Sequence, residues 1–286
     1  MITGSCLCGT VRYETSGPFN SMTHCHCSLC RKHHGSAFGT YLSGSAEKFR
    51  WVAGEDKILS YESPEAGHRT SCSVCGSAVP LILTGDDLAL LPAGPLEGDI
   101  GMKPEAHIFV GSKAPWYIIT DSLPQHEEYP PEDGMPPGLP NRKVEARPGT
   151  AQGSCLCNDV AFEVAADALF MQSCHCSRCR RARGAAHGTN IFFKADRFHW
   201  TRGEELLAEF KVPDAQFYTT SFCRRCGGAM PKVSRERNFV VTPAGCLDTD
   251  PPLRSQRHIF TSHKASWFEI TDSAPQYPEA PPPPPR

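Results

Sequence analysis

The chain has 286 residues, 40% of them hydrophobic, and a formal net charge of only −2. Lysine and arginine are spread along it without a stripe, which argues against nucleic-acid binding; MITGSCLCGTVRY does not read as a basic region followed by an apolar stretch, and no run approaches roughly 20 apolar residues. The expectation is a soluble, cytoplasmic protein with no nucleic-acid or membrane partner, in which 15 cysteines stay reduced and point to metal or thiol chemistry.

In chain order, Cys6 and Cys8 form a C-x-C pair in GSCLCG, and a strand is predicted through TVRYE. Cys25, Cys27 and Cys30 then fall within six residues, where CSLCRKHHGS can form one or two helical turns. Further short strands are predicted in KFRWV, RTSCS and LALLPAG, bounded by Gly, Pro, Asp and Ser. Cys72 and Cys75 make a C-x2-C pair at the end of RTSCS, and HIFVGSKAPWYIITDSLPQ closes the unit from residue 107. The series then starts again. GSCLCNDVAFE at 153 repeats GSCLCGTVRYE at 4, and HIFTSHKASWFEITDSAPQ from 258 agrees with the first closing segment at 12 of 19 positions.

That period is far longer than the roughly 20 to 50 residues of a solenoid repeat. The chain is therefore expected to hold two duplicated, mostly β domains, at 1–125 and 153–276, with the cysteines at turns and strand ends. A Pro/Gly-rich linker spans 126–152, and a Pro-rich tail at 277–286 reads as polyproline II.

Seven cysteines per unit divide into four plus three. A tetrahedral structural zinc takes four ligands, and an open site takes three. Cys6, Cys8, Cys72 and Cys75 are one expected closed set, and Cys155, Cys157, Cys223 and Cys226 are the other. Gly76, Gly227, Gly9 and Asn158 follow the cysteine pairs where a positive φ is wanted. Cys25, Cys27 and Cys30, and likewise Cys174, Cys176 and Cys179, are the candidate metal-binding and catalytic triplets. Four zinc ions per chain are expected, two structural and two labile.

His26 and His175 lie inside the triplets. Alternation along an extended C-x-C directs them away from their neighbours, and ligation, an acid–base role and simple packing all stay open for them. His24 faces a serine, Ser173, in the second copy, so no shared role is expected of it. Trp51, Trp200, Trp116 and Trp267 read as core, Lys113 and Lys264 as solvated lysines or carboxylate binders, and Cys246 as a small buried hydrophobe.

The motifs GSCLCG, CHCSLCRK, SCSVCG and HIFVGSKAPWYIITDSLPQ, with their second copies, resemble the glutathione-dependent formaldehyde-activating enzyme family, which includes the centromere protein V group. The resemblance covers nearly everything but the linker and tail, and implies a β-tent fold. It also implies a structural zinc on the outer cysteines and a labile zinc on the central three, as in the division above. The implied activity is that of a carbon–sulfur lyase, an S-hydroxymethylglutathione synthase that joins formaldehyde to glutathione. Two competing readings use the same open site: zinc-assisted hydrolysis of an imine or carbonyl adduct, and a non-catalytic module that buffers zinc or thiols. The tandem form departs from the single-domain pattern, which leaves open whether one or both copies act.

Overall fold

The computed structural model describes residues 1–63, 67–130, 144–145 and 147–282. Most of the predicted linker and the last four residues of the tail lie outside them. In the first half the strands are β1 (Ile2–Ser5), β2 (Arg12–Thr15), β3 (Phe19–Cys25), β4 (Gly39–Gly44), β5 (Phe49–Ala53), β6 (Ile58–Ser63), β7 (Gly67–Cys72), β8 (Leu81–Leu83), β9 (Leu88–Pro92), β10 (Leu96–Glu97) and β11 (Ala106–Ile108). One short helix, α1 (Ser28–His34), follows β3. The second half repeats the series as β12 (Thr150–Ser154), β13 (Ala161–Ala165), β14 (Phe170–Cys174), α2 (Ser177–Arg183), β15 (Gly188–Phe193), β16 (Phe198–Arg202), β17 (Leu207–Lys211), β18 (Thr219–Cys223), β19 (Ala229–Met230), β20 (Lys232–Ser234), β21 (Phe239–Pro243) and β22 (His258–Ile259).

The protein is thus mostly β and built of two tandem halves. Each half carries three small sheets, ordered β10-β1-β2-β5, β11-β3-β4-β9-β8 and β6-β7 in the first, and β12-β13-β16, β22-β14-β15-β21-β20 and β17-β18-β19 in the second. Alternation builds the central sheet: in β3 the buried Met22 and His24 point inward between partly exposed Ser21 and Thr23. Both helices stop after seven residues at a left-handed glycine, Gly35 or Gly184, where a side chain would be strained. Packed chain continues beyond residues 125 and 276. Phe109 N–H donates to Glu128 O, and Phe260 N–H to Glu279 O.

The halves share one hydrophobic core, in which Phe38, Met22 and Trp116 join Met171, Trp267 and Phe268. Their contacts are reciprocal, as in a self-complementary dimer interface. Lys32 pairs with Asp248 at 2.6 Å, both nearly buried, and the matching residues Arg181 and Glu97 pair in the opposite sense. A Cβ at Gly94 would stand 2.4 Å from Ala185 N, and one at Gly245 would stand 2.5 Å from Ser36 N. Only glycine permits that approach of two backbones. No helix among the described residues is long and apolar enough to cross a membrane.

Candidate metal centres

The four-cysteine sets come together as their spacing suggests. Cys6 and Cys8 lie in the turn after β1, and Cys72 and Cys75 in the turn that ends β7. Their four sulfurs lie within 4.8 Å of one another, as do those of Cys155, Cys157, Cys223 and Cys226. Tight bends make this possible. Gly76 N–H donates to Cys72 O at 2.8 Å and Gly227 N–H to Cys223 O at 2.9 Å, with φ of 73° and 70°. Gly9 and Asn158 also adopt positive φ, at 74° and 66°.

The sulfur separations test whether a metal fits. Cys6 and Cys8 are 3.4 Å apart and Cys8 and Cys72 3.8 Å, with 3.4 Å and 3.9 Å at the matching pairs of the second set. Disulfide sulfurs would be about 2.05 Å apart, and all 15 cysteines are free. Four sulfurs held about 2.3 Å from one zinc stand about 3.8 Å apart. The donor sets therefore fit a tetrahedral ion.

Each triplet is made by a strand that runs into a helix. Cys25 ends β3, Cys27 caps α1 and accepts a hydrogen bond from Cys30 N–H at 3.3 Å, and Cys30 lies in the first turn. Cys174, Cys176 and Cys179 repeat this at β14 and α2, at 3.4 Å. In both, the three sulfurs lie within 4.8 Å of one another, and no other histidine, cysteine or carboxylate among the described residues joins them.

His26 and His175 turn away from the sulfurs. His26 Nε2 is 2.8 Å from His107 Nδ1, and His107 Nε2 is 3.0 Å from Asp121. The second half repeats the ladder as His175, His258 and Asp272, at 2.9 Å and 3.0 Å. Burial keeps His26 and His175 neutral, with His175 pushed down to about 2. The ladder tethers the C-x-C segment to β11 or β22 and to the closing loop. His24 bonds Thr40 Oγ1 at 2.8 Å, and Ser173 reaches Thr189 Oγ1 at 3.4 Å, so both tie neighbouring strands.

The surroundings of the two triplets differ. Beside the first, Arg69 Nη2 approaches Cys30 Sγ at 3.8 Å and the Tyr41 hydroxyl lies 4.0 Å from it. Beside the second, the Tyr218 hydroxyl donates to Cys179 Sγ at 3.5 Å. Burial and then the Cys30 charge raise the Tyr41 phenol, and burial and then Cys179 raise Tyr218. Burial works against the Arg69 charge, but the Cys30 charge outweighs it and holds the guanidinium protonated. Position 41 is Asn190 in the second half, and its buried Oδ1 has no hydrogen-bond partner.

Two surface cavities, of about 310 and 560 Å³, are lined by other residues, among them Phe19 and Met102 in the first, and Trp51, Ile58 and Leu81 in the second. No triplet cysteine lines either. Lys113 and Lys264 are bound to the protein itself, at Tyr117 O (2.7 Å) and Phe268 O (2.5 Å). Trp116, Trp267 and Cys246 are buried, while Trp51 and Trp200 are half-buried edge-on to Tyr13 and Phe162. His107, Asp121, Tyr41, Arg69 and Tyr218 were not among the residues expected from sequence. A signal existed for the first two, because the histidine and the aspartate of the closing segment recur as His258 and Asp272.

Fold and donor sets define a tandem β protein with thiolate clusters suited to metal ions, two of four sulfurs and two of three. The sequence model described as "Glutathione-dependent formaldehyde-activating enzyme" matches residues 1–112 and 150–263, and the chain belongs to that family. A Halomonas elongata protein, provisionally named for the same activity, is 30% identical over 128 residues, which cover 42% of this chain and 81% of the relative. A crystal structure of a Rhodobacter sphaeroides protein is similar at 23% identity and a TM-score of 0.28, over 34% of this chain and 89% of the other.

Proposed function

We propose that this protein joins formaldehyde, or a similarly small aldehyde, to glutathione or a related thiol at its three-cysteine sites. The observation that carries this reading is the contrast between clusters. Two offer four sulfurs and suit a closed structural zinc, while two offer three sulfurs, with no fourth histidine, cysteine or carboxylate beside them among the described residues. Cys6, Cys8, Cys72 and Cys75, with Cys155, Cys157, Cys223 and Cys226, would hold the structural ions. Cys25, Cys27 and Cys30, with Cys174, Cys176 and Cys179, would hold the exchangeable ones.

A zinc ion there would supply Lewis acidity and favour the thiolate form of a substrate thiol near neutral pH. The reaction is an addition. The thiol sulfur forms a bond to the carbonyl carbon, the π pair moves to the oxygen, and the thiol's proton ends there. The protein's own part is to hold the reactants at attack distance. The His26–His107–Asp121 ladder fixes the C-x-C segment, and Arg69 places a permanent positive charge beside Cys30. Formaldehyde is small enough to need no deep cavity.

A zinc- or thiol-buffering module is the second reading, favoured by the burial of Cys25, Cys27 and Cys30, which leaves little room beside them for a bulky thiol. Exchange spectroscopy by NMR with glutathione and ¹³C-formaldehyde separates the two. The wild type should speed interconversion of free and adduct signals without changing the adduct yield, and a Cys27→Ser/Cys176→Ser double variant should not. An unchanged rate with several thiols would leave the module, or imine hydrolysis, in its place.

A further inference from the structure

The hydrogen bonds beside the first triplet have a direction that the second triplet lacks. His34 ends α1, with Nδ1 2.5 Å from the carbonyl oxygen of Arg183 in the other half and Nε2 2.7 Å from the Tyr41 hydroxyl. A carbonyl can only accept, so Nδ1 carries the proton and Nε2 is the acceptor. Tyr41 must then donate to His34. With its one proton given to His34, the Tyr41 oxygen keeps only acceptor lone pairs, and it lies 4.0 Å from Cys30 Sγ. Tyr218 at the second triplet is oriented the other way, as a donor to Cys179 Sγ. A shorter Asn190 stands where Tyr41 would be.

Condensation of a thiol with formaldehyde creates a group that neither reactant has, an S-hydroxymethyl hydroxyl. Cys25, Cys27 and Cys30 are all buried, and a hydroxyl brought in beside them needs an acceptor, since one left unpaired weakens binding. On the functional reading above, we propose that Tyr41 accepts the hydrogen bond of this hydroxyl at the first site. His34, anchored on the opposite half, is the positioning residue that keeps Tyr41 in the accepting orientation. The first site therefore selects hydroxymethyl adducts over the bare thiol and is completed by the second half of the chain. The second site binds a thiol without that selection.

The test is calorimetry on the full zinc-loaded chain carrying Cys176→Ser, which leaves the first triplet intact, with glutathione alone and with glutathione premixed with formaldehyde. Tyr41→Phe should weaken the adduct about tenfold, the loss of one hydrogen bond, and leave glutathione unchanged. His34→Gln can donate to Arg183 O and accept from Tyr41, so it should keep the preference, while His34→Leu should lose it. ¹⁵N NMR should show His34 protonated at Nδ1. In a Cys27→Ser background, Tyr41→Phe should change nothing. Adduct binding unaltered by Tyr41→Phe, or adduct and glutathione weakened equally, would overturn the inference while leaving the functional reading in place. A parent protein that binds neither probe would overturn both.

Discussion

His187→Phe should make the protein markedly less sensitive to acid. His187 is 3% exposed and packs against Phe38 and Phe268, with ring centroids 5.6 and 5.5 Å away. Its Nδ1 has Thr189 Oγ1 at 3.0 Å. Burial first, and then neighbouring His258, push its pKa down to about 3, against a small opposing pull from Asp272. Unfolded, it would titrate near the usual value of about 6.5. Above that pH neither state binds the proton and the native state keeps its full stability. As pH falls from about 6.5 toward 3, the unfolded chain takes up a proton that the folded one refuses, and stability drops by about 1.4 kcal/mol per unit. Between about pH 7.5 and 4.5 the loss from this residue is about 2.5 kcal/mol. The first half has Phe38 at the same position, so phenylalanine there has a precedent within the chain. Urea unfolding of wild type and variant at both pH values gives two stability differences, and acid effects common to both proteins, including metal release, cancel between them. The variant should gain about 2.5 kcal/mol on the wild type as pH falls. A difference that stays within about 0.5 kcal/mol would refute a buried, neutral His187.

Cys72→Ser and Cys223→Ser should lower the melting temperature more than Cys27→Ser and Cys176→Ser, because a structural metal is coupled to folding; equal losses in calorimetry would make the triplets structural too. Lys32→Met leaves the Asp248 carboxylate nearly buried without its cation and should cost about 3–5 kcal/mol in urea unfolding. Adding Asp248→Leu should restore most of that, and a single variant of wild-type stability would show that this pair does not join the halves.

Much of the site was legible because metal ligands obey local spacing. C-x-C and C-x2-C are short-range constraints, and the repeat showed which pairs belong to which copy. Gly76, Gly227, Gly9 and Asn158 could be read as positive-φ positions because so few residue types tolerate that backbone. The short β elements were legible too, since strands such as β5 and β9 lie between turn residues. What stayed hidden depends on distant partners. Nothing local to Lys32 announces Asp248, and Gly94 reads as an ordinary loop glycine until Ala185 is seen against it. Tyr41 and Arg69 carry no repeat signal, because these residues differ between the copies. His26 shows the middle case. Strand alternation turned it away from the sulfurs, but only the fold reveals that His107 and Asp121 receive it.

Stepwise chelation, with zinc content, adduct exchange and far-ultraviolet circular dichroism followed on one sample, separates the two kinds of zinc site and shows which of them carries the chemistry. Four zinc ions should be present at the start. Two should leave first, and exchange between glutathione and formaldehyde should fall in step with them while the circular dichroism holds, before the last two ions and the fold are lost together. Exchange that persists after the first two have left, or four ions departing in a single step with unfolding, would rule out an exchangeable zinc at the triplets as the seat of the reaction.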